Sequence, residues 1–374
     1  MYDFPPPWVG LAPFGWELTK AQVEAGHEVT VICGNWRNAR PPLPKLPSKL
    51  SLVRIPREPF SSTLFLSSAV LAYFQILKEV RTSKFDAILG HGQLPMYYHL
   101  HRLILGRFLT SNYFLTLHVT AAGRRRNALG EKLGLMTKIE WYFHELSDRW
   151  GVRIAQHIFV TGENVKDEVV EFYKADPNKI TVLENGVDFD IFKPGGKSVN
   201  QEYKLKTNEK VILFVGVHNN RKGLDKLIQS LKLLPTHYKL LTVGSGSEDD
   251  LQLLNRLVED NNLTDRVIFA GPHPYPIPDY YHCADVTVLP SQYEGFPKVV
   301  LESLACGVPV LASGFKVINP PKGLKIIKHP DPKLLAEGVL DLVRDHHKVD
   351  LSAVRSRYSW KAMALRIDLV VKSF

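Results

Sequence analysis

Ser291-Gln-Tyr-Glu-Gly-Phe-Pro-Lys-Val-Val-Leu-Glu-Ser-Leu-Ala-Cys-Gly-Val-Pro-Val310 follows the apolar run 284–290, and together they spell a strand, a turn, a helix and the start of a second strand. The first strand ends at Leu289, and a turn carries Glu294 and Gly295. Pro297 suits a helix start, where its missing N–H costs nothing, and Gly307 suits the stop. Glu294 therefore stands just ahead of a helix N-terminus, whose outward N–H groups and partial positive charge favour a bound phosphate. Glu302 lies about one and a half turns into the same helix, within reach of an adjoining part of such a ligand. A solvated carboxylate followed by a buried helical glutamate leaves the same pattern.

The alternation extends outward in both directions. Strand candidates lie at 27–33, 85–91, 111–118, 155–162, 179–186, 210–216, 238–244, 265–271, 284–291 and 308–313, with helical stretches between most of them, such as 14–25, closed by Gly26. Short β-rich runs alternating with helices predict parallel sheets covered on both faces. No repeat of about 20–50 residues appears, which excludes a solenoid. Asn185-Gly-Val-Asp-Phe-Asp-Ile-Phe-Lys-Pro194, then Gly195, Gly196 and a polar segment to Glu209, break the series. A junction there gives two doubly wound α/β domains, residues 1–182 and 183–357, with a helix at 358–374 packing back on the first. Ligands of such folds bind at the carboxyl ends of strands, and the cleft between two such domains is the default site.

The 374 residues allow two or three domains, and 45% apolar with 23% charged residues fits neither a disordered nor a fibrous chain. Cys33, Cys283 and Cys306 are too few and too far apart for a redox pair, a zinc cluster or a disulfide framework, which points to a reducing cytosol. The opening residues hold three consecutive prolines and no apolar block after a basic start, so no secretory signal is read. The charge-free stretch from Pro59 to Leu77 carries five Ser/Thr residues and reads as a buried or interfacial helix rather than a membrane span. Net charge is +9, and the excess lies in front: residues 1–157 hold 19 basic and 11 acidic side chains, 158–374 hold 28 and 27. That bias suits nucleic acid, an anionic membrane surface or a phosphorylated substrate.

Further landmarks flank Glu294 and Glu302 in order: Asn185-Gly-Val-Asp188 with Phe192, Lys222-Gly223 after the strand 211–215, Val243-Gly-Ser-Gly246, Phe269 and Gly271, and Tyr358-Ser-Trp360. Together they resemble glycosyltransferase family 4, retaining enzymes of the GT-B architecture, two Rossmann-like domains facing a central cleft, that use nucleotide-sugar donors. The resemblance covers nearly the whole chain and is specific in the second half. It gives Glu294 the donor-sugar hydroxyls, Glu302 the nucleotide ribose and Lys222 the donor diphosphate, with Gly295, Phe296 and the backbone N–H groups of Lys298 and Val299 completing the cradle. In the front half it matches Gly10, in Trp8-Val-Gly10-Leu-Ala12, to the glycine-rich loop beneath the diphosphate, and His118 to a histidine near the reacting sugar. His91-Gly92 ends the preceding strand and is a candidate lining of the acceptor pocket.

Two departures stand out. Where similar enzymes carry an arginine after the glycine that ends this strand, Gly216 is followed by Val217 and His218, leaving Arg221 to supply the charge. Pro297 and Lys298 stand where many relatives have glycine and an apolar residue. The resemblance implies a retaining, metal-independent hexosyltransferase that needs no cofactor beside its nucleoside-diphosphate sugar. Its acceptor is a saccharide or a lipid-linked group in cell-envelope or polysaccharide assembly. The rivals are a nucleotide-sugar hydrolase or epimerase of the same fold and a non-catalytic partner subunit. A Rossmann dehydrogenase is disfavoured, because Gly244-Ser-Gly246 is followed by Glu248, Asp249 and Asp250, which repel a pyrophosphate. Arg124, Arg125 and Arg126, with Lys132 and Lys138 and the aromatics Trp141, Tyr142 and Phe143, suit an anionic membrane surface or an acceptor pyrophosphate, and a solvated loop and helix face leaves the same pattern; no nucleic-acid module is recognised. The location that follows is cytoplasmic, peripheral on the inner face of the membrane. Finally, three of the residues before Trp8 are consecutive prolines, which a central strand excludes, so the sequence predicts a front sheet lacking its first strand and a native chain that starts earlier.

Overall fold

A computed structural model describes residues 1, 3–5, 10–35, 45–56, 68–106, 112–127, 134–344 and 349–374. The chain folds as two compact α/β units, Met1–Gly186 with Trp360–Phe374, and Val187–Ser359. The crossings lie at 186/187 and 359/360 rather than at 182/183 and 357/358, and packing explains the shift. A Cβ on Gly186 would stand 2.5 Å from the Trp360 ring, whereas Val187 bridges Ser359 and donates its N–H to the Tyr358 carbonyl at 2.9 Å.

Unit 1 runs α1 (Ala12–Glu24), β1 (Val29–Asn35), β2 (Leu50–Pro56), α2 (Ser68–Thr82), β3 (Ala87–His91), α3 (Met96–Leu105), β4 (Asn112–Leu117), α4 (Ala121–Asn127), α5 (Leu135–Ile154), β5 (His157–Val160), α6 (Glu163–Tyr173) and β6 (Ile180–Val182). Unit 2 runs β7 (Lys210–Val215), α7 (Leu224–Ser230), β8 (Tyr238–Val243), α8 (Glu248–Asp260), β9 (Val267–Phe269), α9 (Pro278–Tyr281), β10 (Val286–Pro290), α10 (Lys298–Ala305), β11 (Val310–Ser313), β12 (Leu324–Ile326), α11 (Pro332–Arg344) and α12 (Leu351–Tyr358), and α13 (Trp360–Val371) returns to unit 1.

All ladders are parallel. In unit 2 the order is β12-β11-β10-β7-β8-β9, so the chain reverses direction across the sheet between β7 and β10. That pair is the topological switch point, where adjacent loops leave the sheet in opposite directions and open a crevice. The strands are apolar on both faces. Val211, Leu213 and Val243 pack toward Val300, Leu304 and Tyr358, while Ile212, Phe214 and Leu240 pack toward Leu227, Leu254 and Val339.

In unit 1, β1 pairs with β2 and a second sheet has the order β3-β4-β5-β6. No ladder among the described residues joins β1 to β3, and none precedes Gly10. Phe4 is fully buried, with its ring 6.1 Å from that of Trp16. The other face of this unit is closed by α1 and α13, whose Phe14, Leu18, Trp360, Met363 and Ile367 share one core. No described helix is long and apolar enough to cross a membrane; α2 takes up the end of the charge-free stretch, and residues 59–67 lie outside the described residues.

Candidate functional site

The switch point of unit 2 collects the predicted residues. The loop after β7 turns through a short 3-10 helix, Asn220–Lys222, capped by the Asn219 side chain, which accepts from the Lys222 N–H at 3.1 Å. Gly223 follows with φ +68°, and a Cβ there would lie 2.0 Å from the Pro290 carbonyl oxygen at the end of β10. Only glycine lets the two loops approach so closely. The contact places Lys222 beside the loop after β10, and its Nζ donates to Glu294 Oε1 at 2.5 Å. Arg221 adds a second cation 3.7 Å from the same oxygen, anchored by its bond to the Tyr293 carbonyl at 2.9 Å. Both side chains of the Lys222–Glu294 pair are largely buried, so water screens it little. Val217, at the position of the absent arginine, is 50% exposed.

The helix begins as the sequence predicts, with extended Pro297 at the N-cap and Lys298 and Val299 opening α10. Their N–H groups belong to the first turn, which has no intrahelical acceptors. Gly307, at φ +80°, ends it. Glu294 thus stands between two cations and a helix N-terminus. Glu302 is buried on the same helix, and the Tyr281 hydroxyl donates to its Oε2 at 2.7 Å. Burial pushes its carboxyl up, opposed by Lys298 and by the Tyr281 bond. Gly295 is buried, and Phe296 turns into the core, its ring 5.6 Å from those of Phe315 and Tyr358. Any part Phe296 plays toward a ligand falls to its backbone.

Sequence reasoning missed two buried polar residues here. Tyr281 sits in an unremarkable Asp279-Tyr-Tyr281, and nothing in its spacing points to Glu302. His218 is buried, and neither ring nitrogen has a hydrogen-bond partner among the described residues. Its ring lies 5.8 Å from Phe214 and 6.0 Å from Phe269, which flank Thr242 in register, a buried hydroxyl also without a partner. Burial holds the imidazole below its ordinary pKa and therefore neutral at pH 7.

Unit 1 holds the other predicted group. Gly10, at φ +58°, leads into α1; Trp8 and Val9 lie outside the described residues. His118 follows β4, its ring edge-on to Phe14 at 4.4 Å and stacked on His91 at 5.9 Å. His91 is buried, its Nδ1 has no partner among the described residues, and burial with the neighbouring His118 drives it well below the ordinary histidine pKa. The two imidazoles stand at the carboxyl ends of adjacent strands, where an imidazole can accept or donate a proton. A small pocket lined by Gln93, Val119, Ala121, Arg124, Trp141 and His144 opens at the same edge. Of the three arginines, Arg125 pairs with Glu145 at 2.7 Å and Arg126 with Glu171 at 3.2 Å, whereas Arg124 is exposed at this pocket. Lys132 lies outside the described residues.

Comparison with known proteins falls on the same two units. The Glycosyltransferase Family 4 model matches residues 10–191, and the Glycosyl transferases group 1 model matches 197–361. A D-inositol 3-phosphate glycosyltransferase of Mycobacteroides abscessus is 35% identical over 163 residues, 42% of this chain and 37% of that one. The same-named protein of Thermobispora bispora is 30% identical over 59% of this chain and 57% of its own length. An uncharacterized glycosyltransferase of Methanocaldococcus jannaschii is 29% identical over 88% and 81%. The chain thus spans less than two thirds of the first two of these relatives. Among solved structures, sucrose-phosphate synthase from Thermosynechococcus elongatus superposes with a TM-score of 0.77 at 21% identity, covering 98% of this chain and 93% of that one. Anabaena HepE in complex with UDP gives 0.71 at 16%, covering 96% of each. These likenesses show the fold, GT-B. With one family model running through unit 1 and a second through the switch-point residues of unit 2, the chain belongs to glycosyltransferase family 4.

Proposed function

We propose that the protein is a retaining glycosyltransferase that moves a hexose from a nucleoside-diphosphate sugar to a saccharide or lipid-linked acceptor held by unit 1, in envelope or polysaccharide assembly at the cytoplasmic face of a membrane. The observation that carries this is the switch-point cluster, a carboxylate held by Lys222 and Arg221 at the N-terminus of α10. A departing nucleoside diphosphate gains negative charge in the transition state. Fixed ammonium and guanidinium groups beside a helix N-terminus stabilise that charge with no metal and little reorganisation. In this reading Lys222 serves the diphosphate, Glu294 the sugar hydroxyls and buried Glu302 the ribose, oriented by Tyr281. The resemblance gives His118 the role of the histidine near the reacting sugar and Gly10 that of the glycine-rich loop beneath the diphosphate. UDP in HepE and the names of the curated relatives support a nucleotide-sugar donor.

Nucleotide release from a panel of nucleotide sugars, with and without candidate acceptors, tests the reading. Glu294→Gln and Lys222→Ala should each depress turnover by about 100- to 1,000-fold. Glu302→Gln should mainly weaken donor binding, by about 10- to 100-fold, the cost of one buried hydrogen-bonded group. A large loss in Arg221→Ala would assign it the charge that Val217 lacks; no loss would show that charge to be dispensable. Near-native activity in both glutamate variants would remove the site. Release that ignores acceptor would mean a hydrolase, and donor binding without turnover a non-catalytic partner.

A further inference from the structure

The loop after β7 carries both cations of the candidate site, and between Gly216 and Gly223 the only buried side chain is that of His218. Val217 and Asn220 are exposed, and Asn219, Arg221 and Lys222 are half-buried. The ring of His218 touches both ends of a row that runs in register across three strands, Phe214 on β7, Thr242 on β8 and Phe269 on β9. The backbone is fastened at the same residue. The His218 N–H donates to the Ser245 carbonyl at 2.8 Å, and a Cβ on Gly246 would lie 2.4 Å from the His218 carbonyl oxygen. The loop is thus held near its start by His218 and at its end by Gly223. The charged and titratable groups of the surrounding elements are engaged elsewhere or lie in solvent. Arg221 and Lys222 bond the Tyr293 carbonyl and Glu294. On α7, Asp225 faces Lys226 at 3.4 Å. On α8, Glu248 and Asp249 are exposed and Asp250 accepts from the Ser247 hydroxyl at 2.6 Å. Beyond β9, His273 bonds the Ala270 carbonyl at 3.1 Å.

We propose that His218 is a positioning residue whose neutral ring latches the loop 217–222 to the sheet and holds Arg221 and Lys222 at Glu294, and that a proton on the ring releases it. An imidazolium has two N–H donors, and the seat offers it at most the Thr242 hydroxyl. A charge buried there has no carboxylate to offset it, so the protonated ring is driven into water. Because this ring is the loop's one inward anchor, its exit frees the neighbouring residues, and Arg221 and Lys222 stand three and four positions on. Burial alone holds the folded imidazole below its ordinary pKa. The latch is therefore full above the unfolded value of 6.5 and weakens as pH falls below it. The latch itself does not depend on glycosyl transfer. Its use rests on the reading of Lys222 as the partner of the donor diphosphate: a donor that binds only the latched loop competes with the proton.

The test is amide hydrogen exchange of peptides spanning 216–223 in the full chain at about pH 7.5 and about pH 5, corrected for the intrinsic rates. Opening of the parent loop should rise at the lower pH by up to about 30-fold, the gain in protonation open to an imidazole of pKa 6.5. His218→Leu fills the seat without a titratable group and should remove that response. His218→Gln, neutral and polar, runs beside it in case leucine overpacks the seat, and it too should ignore pH. A parent loop whose opening does not follow pH, or variants that open as the parent does, overturn the proposal. Adding UDP-glucose, GDP-mannose or ADP-glucose at about 100 times the dissociation constant should suppress opening of the parent loop about 100-fold if that sugar nucleotide binds only the latched form. A loop that follows pH through His218 yet ignores all three would leave the latch standing and overturn the reading of Lys222 as the donor's partner, which keeps the two failures apart.

Discussion

Asp148 is a carboxyl placed where water does not reach. Its Oδ2 accepts from the Ala121 N–H at 2.8 Å and the Tyr173 hydroxyl at 3.0 Å, and that hydroxyl in turn accepts from the Ala122 N–H, so this one side chain ties the start of α4 to α5 and α6. Burial outweighs those bonds and pushes it from 3.8 to about 6. The folded state therefore binds this proton more tightly than the unfolded chain does. The stability it contributes is full below the unfolded pKa and is lost as pH rises through about 6. Between pH 4 and pH 7 the parent protein should lose about 2 kcal/mol relative to Asp148→Asn, which keeps an acceptor oxygen without the charge. Denaturant unfolding at both pH values checks it, and a constant difference would show the carboxyl to be solvated. Composition could not disclose Asp148, His218 or Tyr281, because burial is a property of what packs around a side chain. The places of Glu294 ahead of a helix and of Glu302 within it are legible because a strand-turn-helix rhythm survives in one dimension, while their roles come from the family resemblance.

The joint between β7 and β10 works at the scale of elements. Gly223 combines a left-handed backbone with an added-Cβ position 2.0 Å from a carbonyl oxygen, and a backbone atom cannot swing aside. Gly223→Ala should cost at least about 2 kcal/mol and part the two loops that bring Lys222 to Glu294. Gly26→Ala is the control: its φ of +101° carries strain but nothing lies within 4 Å of the new methyl, so it should cost about 1 kcal/mol. Equal costs in urea unfolding would say that close approach does not matter. Continuous apolar strands such as β7 and β10 were readable because parallel strands are buried on both faces. β2 is not legible as a strand, because Arg54 interrupts its apolar pattern; the guanidinium bonds the Gly34 carbonyl at 3.2 Å, satisfying the backbone beside it. β12 is three residues long with a lysine at its centre, too short to carry a period.

At the scale of the whole molecule, α13 lies far from unit 1 in sequence yet completes its core. Trp360, Met363, Ala364 and Ile367 are buried against Phe14, Leu18 and Ala21, and Arg366 bonds the Val182 carbonyl at 2.6 Å and faces Glu184 at 3.5 Å. Removing residues 360–374 uncovers several large apolar side chains at roughly 1.5–3 kcal/mol each, enough to unfold a unit of ordinary stability. Limited proteolysis of that truncation should digest residues 1–186 while sparing 187–359. Resistance of the front unit would show that α13 is an ornament to its core. The same placement sets an order of events as the polypeptide is made. Residues 187–359 are contiguous and can fold as soon as they emerge, but the front unit, although translated first, must wait through the whole of that synthesis for its closing helix. Until then the Phe14 face of α1 is open to solvent, so a nascent chain stalled before Trp360 would present that face to chaperones and proteases.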